Sequence, residues 1–267
     1  MTTENTTENT TENTARNTAG VRGATALVTG GSRGIGAVIA RHLADAGATV
    51  VVTGRDVGAL DRVLAELRGS GAIAHALPAD LTDSAQVSEL HRRVGELAGP
   101  VDLLVATAGG LGEPVQLVSM TDEQWHASID ANLTSAFFTL RAFLPDMIAR
   151  RRGAAVLMSS TAGRQTSPAS PAYGAANAGL LMLTRQAALQ VAEHGVRINA
   201  IAPGTIHTER LDRLMPADAR ERVAAMHPLG RIGTPDDVAN AVLFLLSDNA
   251  SWITGATLDV NGGRIMT

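Results

Sequence analysis

Short apolar runs alternate along this chain with longer stretches of helical spacing. Ala24–Val28, Thr49–Thr53, Ile73–Pro78, Leu103–Ala106, Ala154–Met158, Arg197–Ile201 and Thr257–Val260 read as strands. Between them lie Ala37–Ala46, Val57–Arg68, Ser84–Leu97, a long pattern over Asp122–Arg152, and another over Tyr173–Glu193. Regular strand–helix alternation predicts an α/β fold, a doubly wound parallel sheet with helices on both faces. The 267 residues suit a single domain of the larger kind. Sheets of this type take ligands at the carboxyl ends of their strands, so the chemistry is expected just after each strand.

Two segments depart from the alternation. Residues 2–13 repeat Thr-Thr-Glu-Asn three times, with no apolar residue to bury. Residues 1–20 are expected to be a disordered tail and 21–267 the folded domain. The tail lacks the basic start and apolar core of a secretory leader, so a cytoplasmic protein is expected. Residues 205–230 break the pattern near the end of the chain, where Leu211, Leu214, Met215 and Met226 suggest an apolar lid. His207 in that lid reads as a solvated loop residue.

Composition narrows the function classes. A net charge of −4 and a pI near 6 give no electrostatic case for nucleic acid. No apolar run reaches the ~20 residues of a membrane span. Cysteine is absent, and the seven histidines show no paired ligand spacing, so no metal site is expected. Lysine is absent too; all 22 basic residues are arginine. About five lysines would be ordinary even at roughly one residue in fifty. Two readings stand: an arginine-favouring genome, or avoidance of the nucleophiles that an electrophilic substrate attacks first.

The stretch Thr29-Gly30-Gly31-Ser32-Arg33-Gly34-Ile35-Gly36 joins the first strand to the first helix. Glycines admit a pyrophosphate close to the backbone, and free N–H groups at a helix start face its charge. The spacing Gly-x-x-x-Gly-x-Gly differs from the commoner Gly-x-Gly-x-x-Gly. The second strand ends in Gly54-Arg55, about where an acidic residue would grip the ribose 2′-hydroxyl of NAD. An arginine there holds a 2′-phosphate bidentately, and Arg33 is placed to close on the same group. NADPH is therefore the expected cofactor. Asp80, after the third strand, has two readings: acceptor for an adenine amino group, or cap of the helix beginning near Ser84. After the fourth strand, the small residues Ala106-Thr107-Ala108-Gly109-Gly110 let a cofactor lie against the backbone.

Asn132 lies in an apolar helical stretch and needs partners when buried. The fifth strand ends at Ser159-Ser160. Thirteen residues on stands Tyr173, the only tyrosine in the chain, at the expected start of a helix. Strand end, loop and helix start bring a serine hydroxyl and a phenol together above the nicotinamide position.

Taken together, these residues resemble the short-chain dehydrogenase/reductase family, over nearly the whole chain after residue 20. The resemblance rests on Thr29–Gly36, Asp80, Ala108-Gly109, Asn132, Ser160, Tyr173, Pro203-Gly204 and the tail Ile253-Thr254-Gly255…Asn261-Gly262-Gly263. The tail and Pro228–Asp236 look most like bacterial 3-oxoacyl-carrier-protein reductases and their relatives in secondary metabolism. The resemblance implies a Rossmann-type fold and NADPH-dependent reduction of a small-molecule carbonyl, in a homo-oligomer, dimer or tetramer. It implies Tyr173 as proton donor, Ser160 orienting the substrate oxygen, and Asn132 holding a water. It sets Gly30, Ser32, Arg33, Gly34, Ile35 and Gly36 against the cofactor, with Arg55, Asp80, Leu81, Ala108 and Gly109. Pro203, Gly204, Ile206 and Thr208 complete that set.

Two departures matter. The family's Asn-Asn-Ala-Gly is here Ala106-Thr107-Ala108-Gly109. Its Tyr-x-x-x-Lys is here Tyr173-Gly174-Ala175-Ala176-Asn177. Residues 173 and 177 share one helix face. Asn177 can bond a ribose hydroxyl but carries no charge. Without a neighbouring cation the phenol is expected near its reference pKa of about 10, protonated and ready for reduction but a weak acid. Reduction is expected to be slow, with an Asn177→Lys variant gaining most in alcohol oxidation. Arg164 is the expected substitute cation in space. Two other classes stand beside the reductase: a dehydratase, cyclase or isomerase using Tyr173 and Ser160 as acid–base groups, and a scaffold without catalysis.

Overall fold

The computed structural model describes residues 18–266, the side chain of Leu214 excepted. Its strands are β1 (Thr25–Thr29), β2 (Thr49–Gly54), β3 (Ala74–Pro78), β4 (Leu103–Ala106), β5 (Gly153–Met158), β6 (Val196–Pro203) and β7 (Thr257–Val260). They form one sheet in the order β3-β2-β1-β4-β5-β6-β7, every neighbouring pair parallel. Helices α1 (Gly34–Asp45), α2 (Val57–Gly69) and α3 (Ser84–Ala98) follow the first three strands. Then come α4 (Asp122–Ile129), α5 (Ser135–Arg150), α6 (Pro171–Val191), α7 (Glu209–Leu214), α8 (Ala217–Ala225) and α9 (Pro235–Leu246). This is the Rossmann-type doubly wound α/β fold.

The two-residue period of each strand sorts its side chains between two cores. Ala26, Val28, Val50, Val52 and Val105 pack with α1, α2 and α9 on one face. Leu27, Val51, Leu104 and Leu157 pack with α3, α5 and α6 on the other. A buried Val or Leu contributes roughly 1.5–3 kcal/mol, so both faces of the central strands must stay apolar. That is why these strands read as unbroken runs. The strand order reverses at β1, which pairs β2 on one side and β4 on the other. The crevice beyond the carboxyl ends of β1 and β4 is the binding position in such sheets.

Three boundaries differ from expectation. The tail's first 17 residues lie outside the described residues. Thr18–Gly20 form a turn: Thr18 is buried, and the Asp248 N–H donates to the Ala19 carbonyl (2.9 Å). The described fold thus begins before the boundary drawn at residue 20. The helix expected from Tyr173 starts at Pro171. Ser170 caps it, and proline suits the first helical position because its missing N–H has no partner there anyway. The long pattern over Asp122–Arg152 is split by a π-helical turn, Asp130–Thr134, between α4 and α5.

Candidate active site

The glycine turn after β1 is held by backbone contacts that exclude side chains. Gly30 has φ +64°, and a Cβ there would sit 2.9 Å from the Ala108 amide. A Cβ on Gly36 would sit 2.4 Å from the Gly30 carbonyl oxygen. Arg33 precedes α1 in extended conformation, and no side chain caps the helix. The first N–H groups of α1 are therefore left to an anion. Ser32 leans over Gly54, its Oγ 3.1 Å from where a Cβ would lie.

Beyond the glycine turn, Arg33 pairs with Asp56, whose carboxylate also caps α2 through Ala59 N–H (2.9 Å). Arg55 stands exposed beside them at the end of β2. Asp80 accepts from the backbone N–H of Thr82 (3.0 Å) and its hydroxyl (2.7 Å). Those bonds hold its carboxyl below the ordinary range, and the charge of Arg55 adds to them. The cap of α3 is Asp83, which accepts from Ala85 N–H (2.8 Å), so the capping reading of Asp80 is corrected. Leu81 turns its side chain into the core, 5% exposed.

The β4 exit is tied to β1. Thr107 donates its hydroxyl to the Thr29 carbonyl, and Ala108 N–H donates to the Thr29 hydroxyl (3.3 Å). The first departure from the family pattern thus keeps a strand support. Gly109 adopts φ +149°, and a Cβ there would sit 2.5 Å from Asn132 Oδ1. Asn132 Oδ1 accepts from Gly110 N–H (2.9 Å), and its Nδ2 donates to the carbonyls of Gly110 (3.2 Å) and Ser128 (2.8 Å). Both amide protons are committed to protein carbonyls, so this side chain pins the β4 loop to the π turn instead of donating to a water.

Ser160 continues from β5. Its Oγ accepts from Ala162 N–H (3.1 Å), leaving its own O–H to donate. Tyr173 stands in the first turn of α6, partly buried. Burial pushes its phenol pKa up; side-chain hydrogen bonding by Ser160, the charge of Arg210 and the amide of Asn177 oppose that rise, in this order. Asn177, 2% exposed, lies one turn along. Its Nδ2 donates to the Tyr173 carbonyl (2.9 Å), and its own carbonyl accepts from Ser159 Oγ (3.0 Å). Arg164 does not replace the missing cation. It is bidentate to Asp259 (3.1 and 2.9 Å) and donates to the Thr257 carbonyl (3.2 Å), facing β7.

Ser160, Tyr173, Asn177 and Asn132 line one cleft of about 620 Å³, together with Ala108 and Gly109. Ile35, Pro203, Gly204, Ile206 and Thr208 line it too. The other residues expected at the cofactor, Gly30, Ser32, Arg33, Gly34, Gly36, Arg55, Asp80 and Leu81, do not line it. Helices α7 and α8 occupy the segment expected to form a lid. Leu211, Met215 and Met226 line the cleft as expected, and Thr208 caps α7 by accepting from Leu211 N–H (3.4 Å). His207 is half exposed and pairs with Asp212, which also binds Arg220, so it belongs to an ion network within the lid. Leu229 lines a separate cavity of about 380 Å³ with Arg231, Asp237 and Gly262. Sequence reading missed two arginines of the cleft, Arg210 on α7 and Arg264 near the carboxyl end. An arginine in a loop or short helix carries no local signal of where its side chain goes.

A doubly wound sheet, an uncapped helix behind a glycine turn, and a serine–tyrosine pair over the crevice define a nucleotide-dependent oxidoreductase class. Residues 30–264 match a family model described as Enoyl-(Acyl carrier protein) reductase. The chain is 38% identical over 244 residues to the 3-oxoacyl-[acyl-carrier-protein] reductase FabG of Escherichia coli (strain K12), covering 91% of this chain and 98% of that protein. It is 37% identical over 243 residues to FabG of Staphylococcus aureus (strain Mu50 / ATCC 700699), with 91% and 98% covered. The solved structure of gox2181 is similar with a TM-score of 0.88 at 35% identity, covering 92% of this chain and 97% of that one. The chain belongs to the short-chain dehydrogenase/reductase family, as an oxidoreductase resembling FabG. Among the described residues, no helix is long and apolar enough to cross a membrane.

Proposed function

We propose that this protein reduces the carbonyl group of a small molecule with NADPH, Tyr173 being the proton donor. The observation that carries the reading is the convergence of Ser160, Tyr173 and Asn177 on the cleft that opens beside the glycine turn. The residues present fit the cofactor. The glycine cradle leaves no room for side chains at Gly30 and Gly36, the start of α1 is uncapped, and Arg33 and Arg55 stand beside two carboxylates, Asp56 and Asp80. Arg55, exposed at the end of β2 and in no ion pair among the described residues, is the guanidinium left to a 2′-phosphate, which favours NADPH over NADH. When bound, NADPH supplies the hydride for the carbonyl carbon. Ser160 donates a hydrogen bond to the carbonyl oxygen and orients it, keeping its own proton. Tyr173 transfers its phenolic proton to that oxygen, giving the alcohol, and the tyrosinate takes a proton back from water in the open cleft. At neutral pH the phenol is fully protonated, so the donor is always loaded, while its raised pKa makes it a weak acid. A carbonyl already activated by its own substituents suits such a site. The serine–tyrosine pair addresses an oxygen, which favours the carbonyl chemistry in the relatives' names over the double-bond reduction in the family description.

The neutral Asn177 favours one second reading. A dehydratase, cyclase or isomerase would use Tyr173 and Ser160 as acid–base groups without net redox. Exposed apolar side chains on α5 and α6 support a homo-oligomer, among them Phe137 (41%), Met182 (51%) and Leu189 (77%). The experiment is a fluorescence titration of the purified protein with NADPH and with NADH, followed by a carbonyl screen at 340 nm. Micromolar NADPH binding with much weaker NADH binding supports the reading. Binding of neither refutes it.

A further inference from the structure

The cleft lacks a cation on α6, yet it is not without cations. Among the described residues lining it are two arginines, Arg210 and Arg264, and no carboxylate. Arg264 donates to the Thr205 hydroxyl (3.4 Å) at the cleft's far wall. Arg210 forms no ion pair among the described residues; α7 carries two carboxylates, its neighbour Glu209 and Asp212, and Asp212 is taken by His207 and Arg220. Its guanidinium crosses from the lid toward the β4 exit, with Nη1 3.3 Å from where a Cβ on Gly110 would lie. Gly110 is the residue that Asn132 clamps (2.9 Å), so the guanidinium rests against a fixed wall. Arg210 is also the one charged group whose field acts on the Tyr173 phenol. The other groups facing that phenol, Ser160 and Asn177, are neutral, and Arg164 is turned away to Asp259.

We propose that Arg210, carried by the lid helix α7, is the positioning residue that supplies the cation missing from α6 and sets the acidity of Tyr173. Arg210 is in no ion pair among the described residues, so its guanidinium is not tied to a carboxylate. The kinetic consequence rests on the reductase reading above; the acidity of the phenol does not.

The composition makes that acidity directly measurable. Tyr173 is the only tyrosine, and the chain contains neither lysine nor cysteine. Absorbance at 295 nm between pH 8 and 12 therefore reads this phenol alone, without cofactor or substrate. The comparison is wild type against Arg210→Met, which keeps length and removes charge, and Arg210→Lys, which restores charge, with circular dichroism at each pH. A cation close to a titrating group shifts it by roughly 1–3 units. Arg210 is exposed and so partly screened, which puts Arg210→Met at the low end of that range, a rise of about one unit in the midpoint. Arg210→Lys is expected to stay near wild type. If alkaline unfolding precedes the transition, the same pair is compared in an Asn177→Lys background, where the phenol titrates lower. An unchanged midpoint in folded Arg210→Met, in either background, overturns the proposal. Failure to consume NADPH would overturn the reductase reading and leave this titration unaffected.

Discussion

Replacing Asn177 by lysine puts a charge one helical turn from the phenol. In the native protein burial raises the Tyr173 pKa above its ordinary value of 10.0. At pH 8 less than ~1% of it is then tyrosinate, the form that accepts a proton in alcohol oxidation. A lysine in contact lowers the phenol by roughly 1–3 units, raising that fraction about 10-fold for each unit while it remains small. The site admits the change. Asn177 already lines the cleft, and the amide bond it loses goes to a helix carbonyl that also serves the i+4 backbone N–H. The lost bond costs about 1 kcal/mol, and desolvating the ammonium at this buried position adds to it. The expectation that oxidation gains most is corrected for kcat/KM, because at fixed pH the reaction's equilibrium constant ties the two directions together. The pH profile carries the information instead. With the alcohol product and NADP+, kcat/KM at 340 nm should climb past pH 10 in the wild type without levelling. In Asn177→Lys it should level off about 1–3 units lower. Coincident profiles, or a wild-type plateau near pH 8, would refute the assignment of Tyr173 as the titrating donor.

Three further outcomes follow from named contacts. Arg55→Ser should weaken NADPH binding about 10-fold or more and leave NADH binding unchanged, since one charge-assisted bond to a phosphate is worth roughly 1.5–3 kcal/mol; equal loss for both cofactors in calorimetry would contradict the 2′-phosphate role. Gly109→Ala would set a Cβ 2.5 Å from Asn132 Oδ1 at φ +149°, so a thermal melt should show at least ~2 kcal/mol of destabilisation; an unchanged melt would mean that the Asn132 clamp is absent. Asp237 accepts from Arg231 and caps α9 through Thr234, which holds its carboxyl well below the ordinary range. A depressed folded pKa stabilises above the unfolded value near 3.9 and fades as pH falls toward the folded value. Asp237→Asn should therefore lower stability by about 1 kcal/mol at pH 7, with the gap narrowing in urea melts at pH 3.

The sheet was legible because both faces of its strands are buried. Val50, Val51 and Val52 face alternate cores, and an unbroken apolar run is the mark of such a strand. The glycine turn was legible because Gly30 and Gly36 tolerate nothing else. The π turn was not, since Asn132 finds Gly110 22 positions away and helical spacing reports only neighbours. The start of α6 at Pro171 was within reach of local rules, through a capping serine followed by a first-turn proline. The search for a substitute cation went to Arg164, which is near Tyr173 in sequence but held by Asp259 95 positions on. Arg210 was invisible for the opposite reason: a lid residue meets the site only through tertiary placement of α7.

The central claim is a redox step at Tyr173, and stoichiometry tests it most directly. With a reactive carbonyl found in the screen, one NADPH should be oxidised at 340 nm per alcohol formed, and Tyr173→Phe should reduce that rate at least ~100-fold while still binding NADPH. Product formed without NADPH consumption would contradict the account and assign Tyr173 and Ser160 to non-redox acid–base chemistry.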